Sequence, residues 1–280
     1  MISLNHVCFS YKKHGSEAIS DANASIEPGI HLLLGENGAG KTTLLHLFAG
    51  LIKPVSGLLE IDGEKPFQRH PRFLEKVFFL PDDFIVPFKN TSSLVRCHSP
   101  FYPRFSAEML EKNMLSFGLD MKMPFKDMSL GMRHKAYVAY VLALQPDYIF
   151  LDEPANGLDI GSKKELRKMM SRCISDEQTV IISTHNVFDL EALYDGVVIL
   201  SKGNLVLCNR SWEIAESLKF VTSSSPLAFA LYQEPDNGLF RGIVPNDTNE
   251  ESGINYALLY SAILSDRASQ IHKLLPQHEH

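Results

Sequence analysis

The chain has 280 residues, 45% of them hydrophobic, enough apolar material for one large core or for a core with a small appendage. A net charge of −6 argues against a general nucleic-acid binder, which needs a basic face, although a local basic patch stays open. The four cysteines, Cys8, Cys97, Cys173 and Cys208, form no C-x-x-C pair and suggest no disulfide framework, as in a reducing cytosol.

Met1 to His6 lacks the charged and apolar stretches of a signal peptide, so none is expected there. Ile2 to Ser10 and Ala18 to Ile26 predict strands, with the polar Lys12, Lys13, His14, Gly15 and Ser16 between them and the turn Glu27-Pro28-Gly29 after them. Tyr11 falls in the turn after the first strand; its ring suits either stacking on adenine or plain packing. His31 to Leu34 is a short apolar run that reads as a buried strand, and Thr43 to Ala49 reads as an amphipathic helix stopped by Gly50 and Pro54. Between them Gly35-Glu36-Asn37-Gly38-Ala39-Gly40-Lys41-Thr42-Thr43 fits the phosphate-loop pattern G-x-x-x-x-G-K-[ST]. A strand feeding a glycine loop that opens a helix aims backbone N–H groups and the positive helix end at one point, which suits a polyphosphate. Lys41 then neutralises the β- and γ-phosphates and the Thr42 hydroxyl holds Mg²⁺. Gly57 to Gly63 predicts a further strand, so that the early strands form an antiparallel sheet beside the nucleotide.

Val77 to Leu80 predicts a second buried strand, followed by Pro81-Asp82-Asp83. The aromatic, proline-punctuated stretch that follows holds Phe84, Phe88, Phe101, Tyr102 and Phe105. It reads as the core of a helical insert over about 84–145, with some rings free to line a groove for a partner's helix. Ser106 is placed to cap one helix of that insert. Met128-Ser129-Leu130-Gly131-Met132 opens another helix running to Leu144, either an ordinary capped helix or a second anion site. Within it Ala136 to Leu144 is the longest apolar run, well short of the roughly 18 residues a membrane span needs, so any membrane part is expected on another chain. Tyr148 to Asp152 is a buried strand stopped by adjacent carboxylates, Asp152 suited to Mg²⁺ and Glu153 to polarising a water. Gly161 to Cys173 predicts a charged helix and Thr179 to Thr184 another buried strand. His185 just beyond it is either a loop histidine or a contact to a terminal phosphate.

Gly196 to Gly203 and Asn204 to Cys208 predict a strand, a tight turn and a strand. Beyond them come a short helix over Trp212 to Leu218, a hairpin of Leu227 to Tyr232 with Gly238 to Val244 around Pro235-Asp236-Asn237, a polar loop over Pro245 to Gly253, and helical periodicity over Ile254 to Leu275. His272, His278 and His280 have no metal-ligand spacing and read as a solvated terminus.

In this order the motifs resemble the ATP-binding cassette (ABC) ATPase family over about Ile2 to Cys208. Gly35 to Thr43 looks like its phosphate loop and Phe150 to Pro154 like its acidic strand. Asn156-Gly157-Leu158-Asp159 is similar to its aspartate loop, Ser183-Thr184-His185 to its histidine switch, and Met128 to Met132 to a degenerate L-S-G-G-Q signature. The resemblance implies an α/β fold: a P-loop NTPase core with an antiparallel β subdomain and a helical signature subdomain, plus a small C-terminal α+β extension. It implies an ATPase domain over 1–208, its helical subdomain about 84–145, and an extension over 209–280 that is regulatory or dimer-stabilising. Tyr11 would stack on adenine. Gly35, Glu36, Asn37, Gly38, Ala39, Gly40, Lys41, Thr42 and Thr43 would bind the nucleotide, and Asp152 would hold Mg²⁺ with Thr42. Glu153 would be the general base, His185 would contact the γ-phosphate, and Ser129 and Gly131 would close on ATP held by a second subunit, with Asp159 in the dimer loop.

There are departures. Asp82 stands where the family has a glutamine; it could still reach Mg²⁺, at the cost of negative charge beside ATP. Leu130 and Met132 replace the signature's usual glycine and glutamine. Such forms look most like the ATPases of small bacterial exporters with a separate permease, including bacitracin- and acetoin-type systems. The implied function is therefore an ATP-hydrolysing subunit, with ATP and Mg²⁺, that energises an ABC transporter, an exporter, as a homodimer or heterodimer on a separate transmembrane permease. It would be cytoplasmic, on the inner face of the cell membrane, with no nucleic acid expected. The alternative is a soluble ABC-type ATPase acting on nucleic acid or ribosomes; such proteins carry two cassettes or a long coiled-coil insertion, and this chain has neither pattern. A regulatory module without turnover is opposed by the intact Glu153 and His185.

Overall fold

The computed structural model describes residues 1–12, 15–187, 190, 193–247 and 252–276. Lys13, His14, His278, His280 and part of the polar 245–253 loop lie outside the described residues. The elements in chain order begin with β1 (Ile2–Phe9), β2 (Ile19–Ile26), β3 (Gly29–Leu34), α1 (Lys41–Phe48) and β4 (Ser56–Ile61). There follow α2 (Pro71–Leu74), β5 (Val77–Leu80), α3 (Thr91–His98), α4 (Ala107–Ser116), α5 (Leu130–Leu144), β6 (Tyr148–Asp152), α6 (Ile160–Cys173) and β7 (Thr179–Ser183). The last are β8 (Gly196–Ser201), β9 (Asn204–Arg210), α7 (Ser211–Ser217), β10 (Leu218–Ser223), β11 (Tyr232–Asp236), β12 (Leu239–Pro245), α8 (Tyr256–Ile263) and α9 (Ala268–His272).

A six-stranded sheet in the order β5-β6-β7-β3-β8-β9 forms the centre. Its strands run parallel except β9, which turns back antiparallel to β8. Both faces are covered, so β3, β6 and β7 are buried at every position, and that is why they read as unbroken apolar runs. Successive side chains of β3 go to opposite sides. Ile30, Leu32 and Leu34 join a core with α5, α6 and α8, whereas Leu33 joins α1 and the antiparallel sheet β2-β1-β4.

The insert before β6 is helical, as expected. Ser106 caps α4 by accepting from Met109 N at 3.1 Å. Of its aromatics, Tyr102 is buried, while Phe84 and Phe88 are half-buried at the edge of a cavity.

The C-terminal part differs from expectation. Its hairpin is β11 with β12, not Leu227 to Tyr232 with Gly238 to Val244, and it turns at Asn237-Gly238, both at positive φ. That pair favours a tight hairpin turn, and Pro235 is tolerated because β11 is an edge of the sheet β10-β12-β11. The β10 strand was not anticipated. The helical pattern of 254–275 breaks into α8 and α9. His272 is half-buried on α9, where burial lowers its pKa. No helix among the described residues is long and apolar enough to cross a membrane.

Candidate functional site

Because β6, β7 and β3 are neighbours, their carboxyl ends share one rim, the edge where parallel α/β sheets present ligand-binding groups. The phosphate loop leaves β3 at Gly35 and enters α1 at Lys41. Gly40, the residue before the helix, has φ +109, and a Cβ there would stand 2.5 Å from the Ala18 carbonyl oxygen; only glycine fits. Asn37 and Gly38 are exposed, and Ala39 is buried with its N–H donating to the Glu36 carbonyl at 3.0 Å. The Lys41 ammonium folds back over the loop, donating to the Gly35 carbonyl at 2.7 Å and the Glu36 carbonyl at 3.2 Å. Burial lowers its pKa, opposed by the charges of Glu153 and Asp152. The cation thus stands over a cradle of backbone groups, with two carboxylates close enough to be felt.

Asp152 is 7% exposed. Thr42 Oγ1 donates to its Oδ2 at 2.7 Å, and Ser183, its register partner on β7, donates to Oδ1. A buried carboxylate needs such partners. The hydroxyl of Thr42 and the carboxylate of Asp152 make a donor set of oxygens only, the set that fits a hard divalent cation such as Mg²⁺. Glu153 follows with φ +49, a left-handed backbone that turns the second acid away from the first. Its N–H donates to the Ser183 carbonyl at 2.9 Å, and its Oε1 lies 2.9 Å from His185 Nδ1. The expected base and the expected γ-phosphate contact therefore stand at ion-pair distance from each other.

Tyr11 is 64% exposed, stands edge-on to Phe9 at 4.9 Å, and shares a hydrogen bond of 3.0 Å with the Thr43 hydroxyl. An exposed ring is thus tied to the first turn of α1. Asp82, beyond β5, takes a bond of 2.9 Å from Asn156 Nδ2 on its Oδ1. Asn156 in turn bonds the Glu153 carbonyl through its own N–H at 2.9 Å. Asn156 and Ser183 were quoted in motifs but given no role; a hydroxyl closing an apolar strand beside the acidic strand was the available signal for Ser183.

Ser129 caps α5, accepting from Met132 N at 3.2 Å, and is exposed beside Leu130. At Gly131 a Cβ would fall 2.7 Å from the Gly157 carbonyl oxygen, so the tip of α5 packs on the loop after Glu153. Asp159 caps α6 by accepting from the Ser162 N–H and hydroxyl at 2.8 and 2.9 Å, bonds that hold its carboxyl below the usual carboxylate range. Lys135 of α5 lies 3.6 Å from it. A cavity of about 540 Å³ opens nearby, lined by Phe84, Ile85, Val86, Phe88, Phe125 and Arg133. Ile85 is 92% exposed there, and Phe84 packs on Tyr137 at 4.6 Å.

The description "ABC transporter" fits the family that matches residues 19–156. The chain is similar to the ABC transporter ATP-binding protein NatA of Bacillus subtilis, 30% identical over 207 residues that span 71% of this chain and 84% of that one. It is also similar to the bacitracin transport ATP-binding protein BcrA of Bacillus licheniformis, 31% identical over 202 residues, 70% of this chain and 66% of that protein. Among solved structures, the ATP binding subunit of an ABC transporter superposes with a TM-score of 0.67 at 21% identity, covering 76% of this chain and 91% of that one, a likeness of fold.

Proposed function

This chain belongs to the ABC transporter family, among its ATP-binding proteins, and on that premise we propose that it hydrolyses ATP to drive transport through a separate membrane permease, as an exporter. The carrying observation is the convergence of Lys41, Thr42, Asp152, Glu153 and His185 on one rim of the sheet. Export is supported by the relative named for bacitracin transport and by the loosened signature at Leu130 and Met132.

The nucleotide lies on the loop 35–43, adenine on Tyr11 and the β- and γ-phosphates on Lys41 and the free N–H groups at the start of α1. Thr42 and Asp152 would hold Mg²⁺, and Asp82 would add a further oxygen donor. Bound there, the ion supplies charge to offset that developing on the transferred phosphoryl group. Glu153 accepts a proton from the attacking water, with His185 Nδ1 2.9 Å from its Oε1. Water attacks the γ-phosphorus, ADP leaves, and phosphate is released. His185, once relieved of Glu153, contacts the γ-phosphate. In a pair of such subunits, homodimer or heterodimer, Ser129 and Gly131 of one close on the ATP of the other, with Asp159 in the loop between them.

The domain division follows as 1–208 for the ATPase, with its helical subdomain about 84–145, and 209–280 for the extension. The apolar cavity at Phe84 to Phe88 receives a cytoplasmic helix of the permease, which places the subunit on the inner face of the membrane. Titration of the purified chain with ATP tests the reading. Lys41→Ala removes the ammonium that lies over the loop and lowers ATP affinity at least about tenfold, the order expected for a lost charge-assisted contact. Unchanged affinity contradicts the phosphate-loop assignment.

A further inference from the structure

The chain carries a net charge of −6, yet the cavity beside the tip of α5 is ringed by cations. Lys89, Lys126 and Arg133 line it, and the carboxylate among its lining residues is that of Asp83. Hydrogen bonds fix this rim. Asn90 caps α3, accepting from Ser93 N at 2.9 Å, and its Nδ2 donates to the Lys122 carbonyl at 3.1 Å. Asn90 also forms a β-bridge with Pro124, and the Phe125 N–H donates to the Lys89 carbonyl at 2.9 Å. The segments that bear the two lysines are therefore clamped side by side. Arg133 rises from the first turn of α5, its N–H bonded to the Ser129 carbonyl at 3.0 Å. Its Nε is buried and has no hydrogen-bond partner among the described residues. No ion pair joins any of the three cations to a carboxylate among those residues. A buried donor of a charged group left unpaired costs free energy, which an incoming acceptor recovers. The walls of the cavity are apolar, with Phe84 and Phe88 half-buried and Ile85 92% exposed, the texture of a contact surface.

We propose that the permease segment entering this cavity is a helix with a carboxylate one turn from a large apolar side chain, and that Arg133 selects it. The proposal deepens the permease docking given above and rests on it. The apolar side chain covers Ile85 and enters the cavity at Phe84 and Phe88. The carboxylate accepts from Arg133 Nε and from a terminal guanidinium N–H, a two-point contact that a planar guanidinium makes and an ammonium does not. Side chains one turn apart share one face of the partner helix, so both reach the cavity together. Lys89 and Lys126 add attraction at the rim, which speeds encounter with an acidic helix and turns a basic one away.

The probes are three Ala-rich peptides of about 20 residues, long enough to hold a helix in water. Each carries one Phe, with Glu, Gln or Lys four residues away, and binding to the full-length chain is followed by fluorescence anisotropy at low salt. The Glu peptide is expected to bind about tenfold more tightly than the Gln peptide, with the Lys peptide weakest. Arg133→Gln is expected to abolish the preference for Glu over Gln while the melting temperature and ATP affinity stay as in the wild type. A Lys89→Glu, Lys126→Glu double variant, which alters exposed side chains only, is expected to cut that preference about threefold through slower association, and it carries the test if Arg133→Gln does not fold. Equal binding of the Glu and Gln peptides, or a preference that survives these substitutions, overturns the proposal and leaves an apolar docking site. Binding of none of the three peptides overturns the docking reading as well. A dimer present without ATP and lost in Ile85→Glu makes the occupant a second copy of this chain, and overturns both.

Discussion

Two adjacent carboxylates do different work here because one backbone angle separates them. Asp152 ends a strand and stays in its register, so its side chain meets Thr42 and Ser183. Glu153 takes a left-handed φ and swings to His185. Any larger β-branched residue at position 153 would be strained there. Asp82 carries Asn156 on its Oδ1, and it is the residue proposed as an added oxygen donor at the metal. Asp82→Asn keeps an acceptor for Asn156 and removes the charge. It is expected to raise the Mg²⁺ concentration for half-maximal ATPase activity several-fold, with the rate at saturating Mg²⁺ largely kept. An unaltered Mg²⁺ dependence would leave Asp82 as the anchor of Asn156 alone. The acids, the lysine and the histidine were legible in the sequence because each closes an apolar strand or a glycine loop. The bonds that orient them were not. Asn156 on Asp82 and Ser183 on Asp152 join residues far apart in the chain, and no local pattern reports such a contact.

At the scale of the element, β3 carries most of the site, because its end sets where the loop starts. Its first half holds a buried polar residue, His31, 3% exposed, with Nε2 donating to the Glu27 carbonyl at 2.8 Å. Burial is the main cause that lowers its pKa from 6.5 to about 4. The unfolded chain therefore accepts a proton that the folded chain refuses. The stability this contributes is complete above about pH 6.5 and is lost as the pH falls towards 4, roughly 3 kcal/mol across that window. Denaturant titrations of the full chain at pH 7 and pH 4.5 are expected to show that loss, and a His31→Gln variant a smaller one. Equal pH slopes in the two chains would show that His31 does not carry it. The buried strands β3, β6 and β7 could be read in advance because a parallel strand covered on both faces must be apolar throughout. The extension was harder. Its strands are half-exposed, its edge strand contains Pro235, and its helices are short, so none has the continuous or periodic signal of the central elements.

Over the whole molecule, the rim of the central sheet gathers one complete cradle, while the exposed Ser129 tip of α5 packs against the loop ending at Asp159 rather than closing a site. In the proposed reading, ATP joins two copies or two related chains, the cradle of one against the helix tip of the other, and the apolar cavity beside the tip is the surface proposed for the permease. The proposed reaction depends on a proton leaving water for Glu153 while Lys41 and the N–H groups at the start of α1 hold the phosphates. Single-turnover hydrolysis of radiolabelled ATP by the purified full-length chain and by Glu153→Gln, with binding followed in parallel, addresses that step. Both chains should bind ATP alike, and the variant should release phosphate about 10²- to 10⁴-fold more slowly. Equal rates of phosphate release from the two chains would remove Glu153 from the chemistry and with it the mechanism built on this rim.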